Sequence, residues 1–579
     1  MARKRIRYSS STYEGEVKLF SDTPHGYGVQ TFDNGDVYEG GFREGKFSGY
    51  GSYRYAGGNR YEGDLVDGYY CGHGRFFFAN GDVYEGEFRD DNFNGYGVYR
   101  YQNGDRYEGQ WRDDKRNGNG KYYTAGGNLY EGPFVDGRFS GHGVYTFKSG
   151  SRYVGSFSLD KFEGEGEMTY ADGGRYVGLW HDDKRHGHGK FFYTDGSTYE
   201  GDWVEGERNG RGVYHYANGN VYEGQFVNGN FEGEGIYRFP SGAYYEGHFS
   251  ADKFSGHGTY HYKDGAVYVG AWANDQRHGT GRITFPSGAY YEGDWRDNKK
   301  DGRGVYVFKS GSRYEGELHD DNLTGYGVMQ YADGGRYEGY WQDDKRHGKG
   351  KMTFKDGGCY EGDWYEGART GKGKFTFTSG NVYEGDMLDG NFTGEGVFTY
   401  ASGGVYRGQF RDDKFNGHGV YTYPGGDVYD GEFVDGDFCG TGVFRFTSGA
   451  YYEGEFKNDK RNGMGEYHYE NGSVYRGEWK DGHRNGYGVQ EMVEGNTYEG
   501  DFVEGNFEGY GIYTFKSGTR YEGGFKANLF CGPGTMTLSD GTVFVGEWKD
   551  DDNAEDVTRT DPDGTVTHGR YVERKFIAD

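Results

Sequence analysis

The fold of this chain is decided by a stretch that reads GHGRFFFANGDVYEGEF from Gly72 to Phe88. It opens a unit of 23 residues that ends at Asn94. The tyrosine of this unit, Tyr84, recurs at the same place every 23 residues from Tyr38 to Tyr521, with no insertion in that span. We number each repeat from this tyrosine, which is position 0.

The period continues beyond this span in weaker form. Position 0 is occupied by Phe544 near the end of the chain. An earlier repeat has Tyr13 at this position, and a degenerate repeat has Thr567. The chain therefore holds 24 good copies and a decayed 25th. A fixed period of 20 to 50 residues is the signature of a repeat architecture.

A glycine stands three residues before the tyrosine in nearly every copy, as Gly81 does before Tyr84. The pair Asn80-Gly81 alone would suggest a two-residue type I′ turn, which needs positive φ at both residues. Ser149 and Glu494, which precede this glycine in other copies, fit such a turn badly. A three-residue loop, with a type I turn followed by a left-handed glycine, needs only the glycine. The sequence therefore predicts the three-residue loop. Its turn glycines in the middle of the chain are Gly219, Gly242, Gly265 and Gly288.

This loop fixes which residues face each other across the hairpin. It places Tyr145 opposite Tyr153 and Gly143 opposite Gly155, and side chains alternate between the two faces of a strand. One face then carries aromatic rings and glycines, and the other carries mixed or charged residues such as Glu85. This period of two predicts β-hairpins throughout the array.

The recurring glycines need a reason, because glycine weakens a strand. Large rings can lie over the hollows that glycines leave in a sheet, and aromatic residues make up 19% of the chain. An isolated hairpin is marginally stable in water, so each hairpin must stack on its neighbours. We therefore predict an all-β fold, namely an elongated, single-layered antiparallel sheet of stacked hairpins.

Length and register bound the organisation of the chain. A chain of 579 residues would ordinarily suggest three or four domains, but the unbroken period favours one continuous array over 13–549. Residues 1–12 are predicted to be a short polar, basic lead. Residues 550–579 are acidic and lose the Gly-x-Gly pattern, so they are predicted to be a degenerate capping repeat.

Charge excludes some partners. The net charge of −27 is spread evenly along the repeats, which disfavours attraction to nucleic acid or an anionic bilayer. The basic start is read as a solvated tail, with a membrane or nucleic-acid contact as the alternative. No apolar run is long enough to span a bilayer. The residues of the basic start are Arg3, Lys4, Arg5 and Arg7.

The four cysteines lie many repeats apart and cannot pair within one extended chain, which favours a reduced, cytoplasmic protein. They are Cys71, Cys359, Cys439 and Cys531.

No residues are singled out for catalysis, cofactor binding or metal binding. Glycine-rich strings such as Gly201–Gly212 lack the strand–loop–helix context of a phosphate-binding loop. The histidines near Gly-x-Gly, such as His186 and His347, mostly stand in separate repeats, whereas zinc needs three or four converging ligands. A catalytic carboxylate pair requires two different environments, and a pattern copied along the whole array repeats one environment. We therefore expect no enzyme and no cofactor.

The repeat resembles the MORN repeat (membrane occupation and recognition nexus). The resemblance is carried by Gly-x-Gly, an aromatic residue, glycine and then Tyr-Glu-Gly-x-Trp, as in Tyr107–Trp111 with Gly118 and Gly120, and in Tyr199–Trp203. It covers about 13–549 and implies an extended single-layered sheet of hairpins. In that family the repeats occur in junctional membrane proteins, beside lipid kinases and methyltransferases, in protist cytoskeletal scaffolds and in ciliary radial-spoke proteins.

Among these, stand-alone scaffolds are nearest in form, so we expect a non-enzymatic scaffold of a cytoskeletal or axonemal assembly in the cytoplasm. The expected partners are other proteins of that assembly or a second copy of the chain. The alternative is a peripheral adaptor that binds phospholipid or phosphoinositide, which the negative charge disfavours.

The aromatic face is the predicted partner-binding surface, since large exposed apolar patches mark interaction sites. The alternative is that ring-on-glycine packing closes this face by itself. The residues predicted to face a partner are Tyr214, Tyr222, Tyr237, Tyr245, Tyr260, Tyr268, Trp272, Tyr291 and Trp295.

Overall fold

The structure is a computed structural model that describes all residues from Met1 to Asp579, and it contains 52 β-strands and no helix. The chain divides into two compact units. The first comprises Met1–Pro286 with Arg296–Asn298, and the second comprises Ser287–Trp295 with Lys299–Asp579. Each unit is a series of hairpins in which a seven-residue strand usually alternates with a nine-residue strand.

The strands up to Pro286 are β1 Ala2–Arg7, β2 Ser11–Val17, β3 Pro24–Phe32, β4 Val37–Arg43, β5 Lys46–Arg54, β6 Arg60–Val66, β7 Tyr69–Phe77, β8 Val83–Arg89, β9 Asn92–Arg100, β10 Arg106–Arg112, β11 Lys115–Tyr123, β12 Leu129–Val135, β13 Arg138–Phe139, β14 Gly141–Thr146, β15 Arg152–Ser158, β16 Lys161–Thr169, β17 Arg175–His181, β18 Lys184–Phe192, β19 Thr198–Val204, β20 Glu207–His215, β21 Val221–Val227, β22 Asn230–Arg238, β23 Tyr244–Ser250, β24 Lys253–His261, β25 Val267–Ala273 and β26 Gln276–Thr284.

The remaining strands are β27 Tyr290–Arg296, β28 Lys299–Val307, β29 Arg313–His319, β30 Asn322–Gln330, β31 Arg336–Gln342, β32 Lys345–Thr353, β33 Cys359–Tyr365, β34 Ala368–Thr376, β35 Val382–Leu388, β36 Asn391–Thr399, β37 Val405–Arg411, β38 Lys414–Thr422, β39 Val428–Val434, β40 Asp437–Arg445, β41 Tyr451–Lys457, β42 Lys460–His468, β43 Val474–Lys480, β44 His483–Glu491, β45 Thr497–Val503, β46 Asn506–Thr514, β47 Arg520–Lys526, β48 Leu529–Thr537, β49 Val543–Asp550, β50 Asn553–Thr560, β51 Val566–Val572 and β52 Lys575–Ala578.

Within each unit the strands pair antiparallel with their neighbours in the sequence, except that β13 and β14 both pair with β12, so the sheet is open and has one layer. In the hairpin of β14 and β15, Tyr145 lies opposite Tyr153 and Gly143 lies opposite Gly155. The predicted all-β class, the stacked hairpins and their register are confirmed.

The turn within each predicted hairpin is a three-residue loop. Before β23, the N–H of Phe239 donates to the Ala243 carbonyl, and the N–H of Gly242 donates back to the Phe239 carbonyl. Gly242 has a φ of 91°, in the left-handed region that glycine enters without a steric cost. The other turn glycines have φ angles of 87° at Gly219, 88° at Gly265 and 84° at Gly288.

In most repeats the connection from one hairpin to the next is a two-residue turn with positive φ at both residues, as type I′ requires; the connections from β2 to β3 and from β49 to β50 differ. Between β23 and β24 these residues are Ala251 at 48° and Asp252 at 66°. The polar Asp-Asp and Asp-Gly pairs of the sequence stand at this turn because Asp, Asn and Gly tolerate the left-handed region better than other residues. Type I′ geometry therefore occurs in the molecule, but in the second of its two turns.

In most repeats a β-bulge interrupts the ladder from a seven-residue strand to the next nine-residue strand, and its extra residues lie on the nine-residue strand. Between β23 and β24, Gly247 pairs with Gly258 and Phe249 pairs with Phe254, so His248 lies opposite three residues of β24, 255–257. The Tyr245 hydroxyl donates to the His248 carbonyl at 2.9 Å. The tyrosine at position 0 thus satisfies a carbonyl at the bulge, where the ladder is irregular.

The paired glycines make room for this tyrosine. A Cβ atom on Gly258 would lie 2.3 Å from the Tyr245 hydroxyl oxygen, and one on Gly247 would lie 2.5 Å from the Gly258 Cα. Neither distance is possible for a real side chain. The glycines of Tyr-x-Gly and Gly-x-Gly are therefore required because a ring lies flat across them.

The two ends of the chain are more regular than the sequence suggests. The polar lead 1–12 is largely exposed, as predicted, but it is not an unpaired tail. Ala2–Arg7 forms β1 and pairs with β2, and Lys4 and Arg7 form ion pairs with Asp22 and Asp33. At the other end, β50 to β52 continue the hairpin pattern through 550–579. All four cysteines are free. The structure holds no helix that could cross a membrane.

Candidate functional site

The aromatic face consists of two rows of rings with different exposure. The inner row holds the rings at positions 0 and +4, which are buried. The outer row holds the rings six and eight residues before position 0, next to the three-residue loops, and these are half-buried.

The structure divides the predicted partner-facing residues between these rows. Tyr214, Tyr237 and Tyr260 belong to the outer row and keep part of their surface open. The other six are covered by rings of the same chain, so a partner cannot reach them without moving those rings. The tyrosines among the six are 0% exposed and the tryptophans no more than 6%; they are Tyr222, Tyr245, Tyr268, Tyr291, Trp272 and Trp295.

The inner row is buried because rings from neighbouring strands cover it. Tyr245 stacks on Phe254 of the next strand, with 4.0 Å between ring centroids and 15° between planes. Phe249 and Trp272 meet its edges at 5.2 and 5.3 Å. Burial raises the pKa of Tyr245 above its ordinary value. Ring-on-glycine packing therefore closes this part of the face.

The outer row lines shallow grooves. One groove of about 570 Å³ lies between Tyr214, Tyr237 and Phe254, with Arg208 and Asp252 at its wall. Tyr237 and Phe239 lie 4.9 Å apart within it, and Tyr237 accepts a hydrogen bond from the Asn220 amide at 2.8 Å. The open surface of the aromatic face is therefore a series of aromatic grooves with polar walls.

Position +9 separates the repeats into two types. In the Phe-type repeat, Phe, Tyr or Leu stacks on the inner tyrosine, and its backbone N–H donates to Asp or Asn 21 residues later, in the turn of the next repeat. Phe231 donates to Asp252 in this way at 2.7 Å. The position +9 residues of this type are Tyr70, Phe93, Phe139, Phe162, Phe231, Phe254, Leu323, Phe392, Phe438, Phe507 and Phe530.

In the Arg-type repeat, position +9 is arginine and the residue 21 positions later is glycine. The guanidinium lies over aromatic rings and donates to that glycine's carbonyl, as Arg208 does to Gly229 at 2.6 Å. The arginines of this type are Arg116, Arg185, Arg208, Arg346, Arg369, Arg461 and Arg484.

Four repeats depart from the two types. Phe47 and Phe415 are followed by glycine, while Arg277 and Lys300 are followed by Asn298 and Asp321. Outside these four repeats, the choice of Asp, Asn or Gly in the turn follows the residue 21 positions earlier. This correlation can be read from the sequence alone.

The opposite face is charged and paired. Carboxylates at position +1 meet cations on the adjacent strand, as Glu85 meets Arg75 at 2.7 Å and Glu200 meets Lys190 at 2.8 Å. The Arg75 guanidinium holds the pKa of Glu85 below its usual range. Exposed pairs of this kind contribute little to stability.

The structure brings one group of three metal-ligating side chains together, where the sequence predicts none. Ligand atoms of Asp301, His319 and Asp320 lie within 4.8 Å of one another. The His319 Nδ1 and Asp301 Oδ2 atoms are 2.8 Å apart, and Asp320 already pairs with Lys299 at 3.1 Å. The group is thus part of the ion-pair network of this face.

Comparison with known proteins identifies the family of the repeat. The MORN repeat family matches 23 consecutive segments of about 23 residues each, from 13–37 to 521–543. No curated protein matches the chain.

Solved structures offer only distant likenesses. The TCP10 domain of Danio rerio CPAP in complex with a peptide of STIL is 16% identical, and the match covers 43% of this chain and 94% of that one, with a TM-score of 0.20. Virginiamycin B lyase of Staphylococcus aureus is 12% identical over 48% of this chain and 85% of its own, with a TM-score of 0.10. TM-scores this low carry no argument about function. The family match extends over nearly the whole chain, and the chain belongs to the MORN-repeat family.

Proposed function

We propose that this chain is a non-enzymatic scaffold that binds partner proteins along the outer row of its aromatic face. The observation that carries the proposal is the contrast between the two rows. The inner row is 0% exposed at each position-0 tyrosine, whereas the outer row, as at Tyr214, Tyr237 and Tyr260, keeps part of each ring open in successive repeats. Many similar sites in series suit binding that accumulates over several repeats.

The assembly it serves is proposed to be cytoskeletal or axonemal, as in the radial spokes of cilia, and its location is proposed to be the cytoplasm. Support comes from the membership of the MORN-repeat family, in which stand-alone arrays are scaffolds, and from the match of this one family over 13–543. The net charge of −27 supports protein partners over nucleic acid or an anionic membrane.

The test uses the full chain with a fluorescent tag in its source cell. We expect the tagged chain to localise to the cytoskeleton or the cilium. The triple variant Tyr214→Ser, Tyr237→Ser and Tyr260→Ser should lose this localisation while its melting temperature stays near that of the parent. Diffuse fluorescence of the unmodified chain would overturn the assignment to such an assembly.

A matched control changes the charged face of the same repeats. The triple variant Glu223→Gln, Glu246→Gln and Val269→Ser should keep the localisation, because these side chains lie on the opposite face at position +1. If it also loses localisation, the outer row is not the binding surface. Flotation with phosphoinositide vesicles separates a lipid adaptor, which would float, from the scaffold, which would not.

A further inference from the structure

Arginines at position +9 occur in neighbouring repeats more often than alone. Arg185 and Arg208 are one repeat apart, as are Arg346 and Arg369, and Arg461 and Arg484. We call each of these three pairs an arginine doublet. Of the seven Arg-type repeats, only the one with Arg116 has no Arg-type neighbour.

The guanidiniums of a doublet form no ion pair with a carboxylate. Asp252 and Asp459 line the grooves of Arg208 and Arg461, but they accept hydrogen bonds from the backbone N–H groups of Phe231 and Phe438. Arg461 donates to the Gly482 carbonyl at 2.9 Å and lies 4.3 Å from the centre of the Trp479 ring. Burial lowers its pKa, and the repulsion of Arg484 acts in the same direction. Arg484 donates to the Gly505 carbonyl and to the Gln490 amide oxygen, at 2.5 and 2.6 Å. These partners are all neutral.

The sequence of the turn explains why no carboxylate pairs with the guanidinium. A Phe-type repeat places Asp 21 residues after position +9, as Asp459 follows Phe438. An Arg-type repeat places glycine there, so the one carboxylate that would neutralise the guanidinium is missing. Lys300, a cation at the same position, is different because aspartate stands 21 residues after it. The Lys300 ammonium pairs with this residue, Asp321, at 3.2 Å. A half-buried charge without a counter-charge is costly, and the doublets hold two each.

Arg461, one arginine of a doublet, lines a groove that is open to a ligand. The groove has a volume of about 570 Å³, and its other lining residues include Lys460, Asp459, Tyr421 and Phe446. Aromatic-lined grooves of this kind hold extended, proline-rich chains. Arginine is also the residue best suited to bind carboxylates through two hydrogen bonds.

The spacing of a doublet selects the ligand. The two arginines occupy the same position in successive repeats, which are two strands or about 9.6 Å apart. Three residues of a polyproline II chain span about 9.3 Å. We propose that each arginine doublet binds an extended segment of a partner protein that carries two carboxylates three residues apart. This inference rests on the proposed scaffold function and states the chemistry of the partner.

A polyanion is a poorer fit than such a segment. Nucleic acid or an anionic membrane would bring many charges close to a chain with a net charge of −27, whereas a short segment brings two charges to two cations. The rings beside the guanidiniums then contact the residues between the carboxylates.

The experiment is titration calorimetry of the full chain with the synthetic peptide (Glu-Pro-Pro)4. Its prolines fix the spacing of the glutamates, and we expect three binding sites per chain, one for each doublet. The uncharged peptide (Gln-Pro-Pro)4 should bind at least about tenfold more weakly, because it loses charge-assisted hydrogen bonds. Equal binding of the two peptides would overturn the proposal.

The variant that tests the site converts one doublet into two Phe-type repeats. It carries Arg461→Phe, Gly482→Asp, Arg484→Phe and Gly505→Asp, an arrangement that the chain itself uses elsewhere, so folding should be preserved. We expect the number of sites to fall from three to two. The control Lys457→Glu with Lys480→Glu makes the same change in net charge on exposed side chains and should keep three sites.

Other outcomes identify what fails. Three sites in the converted variant would overturn the doublet as the binding site. Binding of oligo(dT) or of phosphoinositide vesicles at the doublet, without binding of (Glu-Pro-Pro)4, would overturn the partner class. If a variant with all three doublets converted still localises as the parent does, while the outer-row variant does not, the scaffold proposal stands and the doublet proposal falls.

Discussion

The repeat that begins at Tyr245 and the repeat that begins at Tyr452 have the same backbone but differ in what covers the inner tyrosine. Both tyrosines are 0% exposed, and both donate at 2.9 Å to the carbonyl three residues later. In the first repeat Phe254 stacks on the tyrosine at 4.0 Å. In the second, the Arg461 guanidinium lies 5.8 Å from the ring centre.

The difference extends into the next turn. Phe254 donates its N–H to Asp275, whereas Arg461 donates its side chain to the carbonyl of Gly482. The residue at position +9 is thus linked to the residue that stands 21 positions later in the next turn. The backbone of the repeat is therefore constant, while the charge on its aromatic face differs from repeat to repeat.

The largest effect is expected when the buried tyrosine at position 0, which both repeat types share, is truncated. Tyr245→Ala and Tyr452→Ala should each cost about 3–5 kcal/mol of local stability, the range for truncation of a buried aromatic side chain. Each change also leaves a carbonyl at the bulge without its donor. The measurement is the free energy of local opening of the two flanking strands, obtained from native-state hydrogen exchange.

Glu246→Gln is the control for this prediction, because Glu246 lies on the charged face next to Tyr245. It should change stability by no more than about 0.5 kcal/mol. If it destabilises the strands as much as Tyr245→Ala does, the two faces have been assigned wrongly.

The second prediction concerns the turn of the Phe-type repeat. Asp252→Ala should cost about 2 kcal/mol, because the N–H of Phe231 loses its acceptor and alanine is strained at a φ of 66°. Asp252→Gly should cost less, since glycine removes the strain and already follows Phe47 and Phe415 in the chain. Chemical denaturation of the parent and the two variants measures the order of their stabilities. An equal loss of stability in both variants would contradict the prediction.

The smallest expected effect is the coupling between the two linked positions. Arg461→Phe alone gives a phenylalanine followed by glycine, and adding Gly482→Asp supplies the missing acceptor. The double variant should be about 1 kcal/mol more stable than the sum of the single changes predicts, within the range for residues in contact. A double-mutant cycle measures this term. A coupling near zero would mean that the two residue choices are independent.

Several features of the fold were predictable because they depend on local chemistry. Gly242 predicts a three-residue loop since its neighbours fit poorly at positive φ, and that loop fixes the register that places Tyr145 opposite Tyr153. The first strand was not predictable in the same way. Its basic residues look like a solvated tail, and only pairing with β2 and ion pairs to Asp22 and Asp33 make Ala2–Arg7 a strand.

The aromatic face shows more clearly what the sequence pattern does not predict. Alternation along the strand identifies Tyr237 and Tyr245 as residues of one face, yet the structure leaves Tyr237 half-open and buries Tyr245 completely. The difference arises from the next strand, where Phe254 covers one ring and leaves the other at the rim of a groove. The alternation of side chains along one strand does not predict a contact with a ring of the next strand.

The sequence by itself determined the 23-residue period, the loop, the register and the two faces of the sheet, because each follows from the φ angle of a glycine or the alternation of side chains. The tertiary structure decided which rings are covered and where positive charge stands among them. Those outcomes depend on packing between neighbouring strands, where Gly258 must lack a side chain for Tyr245 to lie flat. They depend also on a hydrogen bond that reaches 21 residues ahead, from Arg461 to Gly482.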